Sequence, residues 1–142
     1  MVEQPRGRGA IVSDAEGVGP LKMLLKRATL AALLVLVLGV TLHPSHGPSY
    51  VALAPWGARQ MTTVNVVGNI ALFALPSAAL WWLGFSLRRT VVAGFGLSLA
   101  IELIQLAIPG RTTATADVLC NTVGAVAGWL LATSFGRLRA QR

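Results

Sequence analysis

The sequence predicts an all-α protein, a four-helix transmembrane bundle with both termini in the cytoplasm. Three observations carry this reading. The chain of 142 residues is 54% hydrophobic and only 12% charged, where soluble domains carry roughly 25% charged residues. Its apolar residues gather into four runs, each close to the roughly 20 residues that cross a bilayer. Lys and Arg stand at the ends of those runs, which is how membrane proteins distribute them. Mean hydropathy is +0.66. Only helices satisfy their own backbone in lipid without closing a barrel, so the runs are read as helices.

Taken in order, residues 1–21 are Gly-rich, polar and weakly patterned. They read as a disordered cytoplasmic tail, and Glu3, Asp14 and Glu16 are spent there. Residues 22–136 form the transmembrane domain, with helices expected at about 25–42, 64–85, 91–108 and 117–135. Residues 137–142 are a basic cytoplasmic tail. The first run follows Lys22, Lys26 and Arg27. A basic start before a short apolar stretch also fits a signal peptide, but Thr41-Leu42-His43-Pro44 is not a small-x-small cleavage site, and a retained first span is favoured. Residues 43–62 form a loop with Pro44, Pro48 and Pro55. Its apolar middle, Tyr50 to Trp56, is read either as an interfacial turn or as a plain loop. The second run ends before Arg88-Arg89, Pro109-Gly110-Arg111 breaks the third, and Arg137, Arg139 and Arg142 follow the fourth. Pro76 is expected to kink the second helix, and Trp81 and Trp82 to anchor its inner end.

Ten of the twelve basic residues fall on one side when the tail is inside; Arg59 and Arg111 alone fall on the other. The positive-inside rule makes the crowded side cytoplasmic. The net charge of +7 is therefore topological, and no aromatic interleaving suggests nucleic acid as a partner. Cys120 is the single cysteine, which excludes an intrachain disulfide; it reads as a small packing residue. His43 and His46 sit in a Pro/Gly loop without acidic neighbours and read as solvated. No metal site and no cofactor are expected.

The polar residues inside the runs point to function. Glu102 lies in the third run, with Ser98 four residues before and Gln105 three after, spacings that share one helical face. Asp117 opens the fourth run and Asn121, Gly124 and Gly128 continue its stripe. Asn65 and Asn69 are four apart in the second. Under the expected topology Glu102 lies about six residues, or ~9 Å, below the outer end of its helix. The asparagines and Asp117 fall in outer turns, and Arg111 in the short outer loop. A charge within hydrocarbon costs at least ~2.5 kcal/mol and persists by facing a partner or a wet cavity. Glu102 and Gln105 are therefore expected to face Asn69, Asp117 and Asn121, with Arg111 closing the top. The plainer alternatives are an N-cap role for Asp117, and interhelical hydrogen bonding for Asn65, Asn69, Ser98 and Asn121. Ser98, Gly124 and Gly128 are read as packing residues.

At these positions the chain resembles the VanZ-like family of small bacterial membrane proteins, named for a teicoplanin-resistance accessory protein. The likeness runs from about Asn65 to Gly128. It consists of Asn69-x-x-x-Phe73 with a nearby proline, Ser98-x-x-Ile101-Glu102-x-x-Gln105, Arg111, Asp117, Asn121-Thr122-x-Gly124-Ala125 and Gly128. Two departures stand out: Pro76 is three residues after Phe73 where the family has two, and Ala114 replaces an acidic or hydroxyl residue three after Arg111. The resemblance implies a bacterial plasma-membrane protein linked to the cell envelope or glycopeptide tolerance, and supplies no reaction.

The ligand-binding candidates are Asn69, Glu102, Gln105, Arg111, Asp117 and Asn121. Arg111 would hold an anion on a lipid-linked envelope ligand, and Glu102 or Asp117, the catalytic candidates, would act as acid or base. No nucleophile signature accompanies them, so enzyme status stays open. The alternative is a non-enzymatic membrane assembly module, homo-oligomeric or with a membrane protein partner, packing through the Asp117–Gly128 stripe. A solute pathway, which needs an oligomer, ranks last.

Overall fold

The computed structural model describes residues 18–44, 50–52, 62–110 and 112–142. The expectations for residues 1–17, for His46, for most of the 45–61 loop including Arg59, and for Arg111 lie outside them. The class is all-α. Four helices, α1 (Val18–Leu42), α2 (Thr63–Trp82), α3 (Leu87–Gln105) and α4 (Thr115–Ala140), are joined by a pair of three-residue strands, β1 (Tyr50–Ala52) and β2 (Thr112–Ala114). Helices α1, α2 and α4 are long and apolar enough to cross a membrane. The 19 residues of α3 reach ~28 Å at 1.5 Å per residue, and they include Arg88, Arg89 and Glu102.

The helix boundaries follow local chemistry. Helix α1 begins at Val18, inside the stretch expected to be disordered to residue 21, and takes Pro20 into its first turn, where the missing N–H costs nothing. Thr62 caps α2, its hydroxyl accepting from the Asn65 N–H at 3.3 Å. Helix α2 stops at Trp82 rather than at 85, because Gly84 turns the chain with φ of 88°. Ser86 caps α3 by accepting from the Arg89 N–H, so Arg88 and Arg89 are helical rather than loop residues. Helix α2 continues through Pro76, which is buried. Helix α4 runs past 135 to Ala140 and takes in Arg137 and Arg139, where cations suit the negative end of the helix dipole.

Helices α2 and α4 run parallel in close contact. A Cβ on Gly124 would strike the Ile70 carbonyl, one on Gly128 the Ala74 carbonyl, and one on Gly136 would come within 2.6 Å of the Trp81 ring. A nearly constant offset thus carries the seam along three glycines of α4, which lets the two backbones touch. The short α2–α3 turn makes α3 antiparallel to both. Lys26 at the start of α1 donates to the Trp82 carbonyl at the end of α2, at 2.8 Å, so α1 is antiparallel to α2.

The interior is unusually rich in polar residues. Val37, Phe73 and Ile101 form a small core, with Leu42, Leu72 and Leu97 packed against it. Thr41, Ser77, Thr90, Ser98, Glu102, Gln105 and Asn121 are buried as well. Val64 is 79% exposed, and Val35, Leu24 and Phe135 are also outside. Apolar side chains outward and polar ones inward, most of them hydrogen-bonded to another helix or to their own backbone, is the arrangement that lipid selects.

A candidate polar site at one end of the bundle

The antiparallel packing divides the bundle into two ends. The start of α1, the start of α3 and the chain from the end of α4 to residue 142 carry Lys22, Lys26, Arg27, Arg88, Arg89, Arg137, Arg139 and Arg142. The other end holds the start of α2, the end of α3, the start of α4 and the two strands. Every described ligand candidate lies within about two turns of it.

Asn69 stands in the second turn of α2, and Asp117 in the first turn of α4. Parallel packing brings them together, and Asn69 Nδ2 donates to Asp117 Oδ1 at 2.7 Å. Both are half-buried. Asn121, one turn deeper, donates through Nδ2 to Ser98 Oγ on α3 at 2.8 Å; Ser98 has no exposure at all. Glu102 is 5% exposed, and its Oε2 accepts from the Ala114 N–H at 2.8 Å. The Thr113 hydroxyl donates to the Glu102 carbonyl at 3.3 Å. Gln105, at the end of α3, donates through Nε2 to the Thr41 carbonyl at 2.7 Å.

Asp117 is not the N-cap of α4. That position is Ala114, whose side chain makes no cap hydrogen bond, and Asp117 is the third helical residue. In a capping box the residue at that third position accepts the N-cap N–H. Here Glu102 of another helix takes that N–H, which leaves Asp117 for Asn69. Both carboxylates sit at the positive end of the α4 dipole, which favours their charge.

The five described ligand candidates thus make separate contacts rather than one shared cluster. Asn69 meets Asp117. Asn121 meets Ser98, which was read as a packing residue. Gln105 turns to α1 rather than to the asparagines. Arg111 is outside the described residues. Gly124 and Gly128 pack, as described, against α2. Two buried acceptors, Gln105 Oε1 and Asn121 Oδ1, have no hydrogen-bond partner among the described residues. Such atoms usually hold an ordered water or a ligand group. Among the described residues, no group of three or more His, Cys, Asp or Glu is placed to hold a metal ion. His43 is exposed.

Thr41, Thr113 and the Ala114 N–H join this network without having been anticipated. Two of them contribute backbone groups, which carry no side-chain signature. The signal for Thr41 lay in Pro44: a helix ending there leaves its last carbonyls without donors, and a nearby buried amide such as Gln105 is an apt partner.

Strands β1 and β2 pair in parallel, Tyr50 opposite Thr112, Val51 opposite Thr113 and Ala52 opposite Ala114. The first three residues of the apolar Tyr50–Trp56 segment therefore form a strand, and the rest lies outside the described residues. The strand lies beside the residue that Glu102 holds.

No curated protein and no solved structure matches the chain. A family model does, described as VanZ/LLP1, over residues 27–136. That span includes α2, α3, most of α1 and α4, and each described residue of the polar network, and the chain belongs to the VanZ/LLP1 family.

Proposed function

We propose that this membrane protein uses its polar end, facing the exterior of the plasma membrane, to bind a polar cell-envelope ligand. A lipid-linked sugar or phosphate head group is the class we favour, and glycopeptide tolerance is the physiological setting suggested by the family. The observation that supports the reading is the half-buried Asn69–Asp117 pair, set at the mouth of a polar interior that holds Glu102 and two buried acceptors without partners. Intramembrane carboxylates are costly and usually serve a pathway or a site. The excess of Lys and Arg at the opposite end supports placing the polar end outside. Asp117 and Asn69 are the accessible contacts, Glu102 holds the start of α4 and the local negative charge, and Arg111 is the candidate for an anionic group.

The alternative is a non-enzymatic assembly module. The network's described side-chain donors all reach acceptors within the same chain, which favours it. Its proposed packing face is, however, already filled, since Gly124 and Gly128 lie against α2. An assembly would need another surface.

The test compares Glu102→Gln and Asp117→Asn in a strain with a measurable teicoplanin-sensitivity phenotype, with membrane abundance followed by immunoblot. The binding reading expects Asp117→Asn to lose the phenotype at normal abundance. An intact phenotype for both variants overturns it. Loss of the phenotype only in step with loss of protein would mark the network as structural.

A further inference from the structure

We infer that the basic end of the bundle is a binding surface for anionic phospholipid head groups. Folding brings to this end three segments far apart in sequence. Lys22, Lys26 and Arg27 come from the start of α1, Arg88 and Arg89 from the start of α3, Arg137 and Arg139 from the end of α4, and Arg142 from just beyond it.

The tryptophan pair at the end of α2 ties the segments together. Lys26 Nζ stands 5.1 Å from the centre of the Trp82 ring and bonds the Trp82 carbonyl. The Trp81 ring lies against Gly136, the neighbour of Arg137. Trp129 donates to the Phe85 carbonyl in the turn that leads to Arg88.

Lys26 is half-buried, and the other seven basic side chains are exposed. The only acids among the described residues, Glu102 and Asp117, sit at the opposite end of the bundle. The three acids of residues 1–17 are accompanied by Arg6 and Arg8, so an excess of positive charge remains in any case. Arg88 and Arg89 also occupy the first turn of α3, where the helix dipole disfavours cations. The described residues thus gather like charges in one layer with no acid among them.

The layer is flanked by apolar surface, with Leu24, Leu25, Phe85 and Phe135 exposed beside it. A partner must therefore be anionic on one side and apolar on the other. A phosphatidylglycerol- or cardiolipin-type lipid meets both conditions, since each basic residue near such a surface strengthens binding several-fold. A soluble phosphate meets only the first.

The experiment is thermal unfolding of the full-length protein in a neutral detergent. It is titrated with phosphatidylglycerol, cardiolipin, phosphatidylcholine or inorganic phosphate, and native mass spectrometry counts the retained lipids. Both anionic lipids are expected to raise the melting temperature and to remain bound, with neither effect from phosphatidylcholine or phosphate. Arg137→Gln/Arg139→Gln, at the exposed end of α4, should fold normally and weaken retention by roughly fivefold per arginine removed. Arg88→Gln/Arg89→Gln should do the same. Equal stabilisation by phosphatidylcholine, equal stabilisation by phosphate, or unchanged retention in a folded arginine variant would each overturn the inference.

Discussion

The two ends of the bundle make cross-helix hydrogen bonds in comparable fashion but in different surroundings. At the basic end, Lys26 bonds the Trp82 carbonyl and Trp129 the Phe85 carbonyl, both in exposed positions. At the polar end, Glu102 accepts from the Ala114 N–H, Gln105 donates to the Thr41 carbonyl and Asn121 donates to the Ser98 hydroxyl, all buried. A buried polar group that loses its partner bears its full desolvation cost, whereas an exposed one turns to water. The basic end can therefore lose a contact cheaply, and the polar end cannot. Burial rather than bond length separates the two, since these five bonds all lie between 2.7 and 2.9 Å.

The largest effect should come from the seam that holds the two ends in register. Gly128→Leu drives a side chain into the Ala74 backbone, and overpacking against a rigid neighbour costs 1–3 kcal/mol or more. Membrane accumulation should be lost, and unfolding in detergent should move by about 3 kcal/mol, the upper end of that range. Next comes Glu102→Leu, which strands the Ala114 N–H at a cost of about 1–3 kcal/mol. Glu102→Gln keeps an acceptor oxygen and should lose less than half as much. If thermal unfolding shows the two Glu102 variants equally destabilised, the N–H contact is not what anchors the polar end. The smallest effect is at the basic end. Lys26→Met and Trp129→Phe each remove one exposed bond and should stay within about 0.5 kcal/mol of the parent. Losses there as large as that of Glu102→Leu would erase the distinction between the ends.

Much of this architecture was legible in the sequence. The four apolar runs became four helices because period and length leave lipid-facing segments few other choices. Polar residues at helical spacing correctly marked the polar end, since Ser98, Glu102 and Gln105 share a buried face of α3. The partners were less legible. Glu102 bonds a backbone N–H, and the N-cap of α4 is an alanine, so neither leaves a mark in residue types. Asn121 pairs with Ser98 and Asn69 with Asp117 because α2 and α4 run parallel at a fixed offset, which Gly124, Gly128 and Gly136 impose. That offset belongs to packing between segments some fifty residues apart and has no local signature. The strand pair escaped for the same reason. Three residues are too few for a period to show, and the parallel partner lies beyond two helices.

That strand pair has a consequence for assembly. A parallel ladder requires a crossover, and here the crossover is the whole α2–α3 hairpin. The ladder cannot close until both of those helices have been laid down and the chain has returned to its starting side. Its closure sets the entry points of α2 and α4 side by side and marks the moment at which the end of the molecule that holds Glu102 is complete.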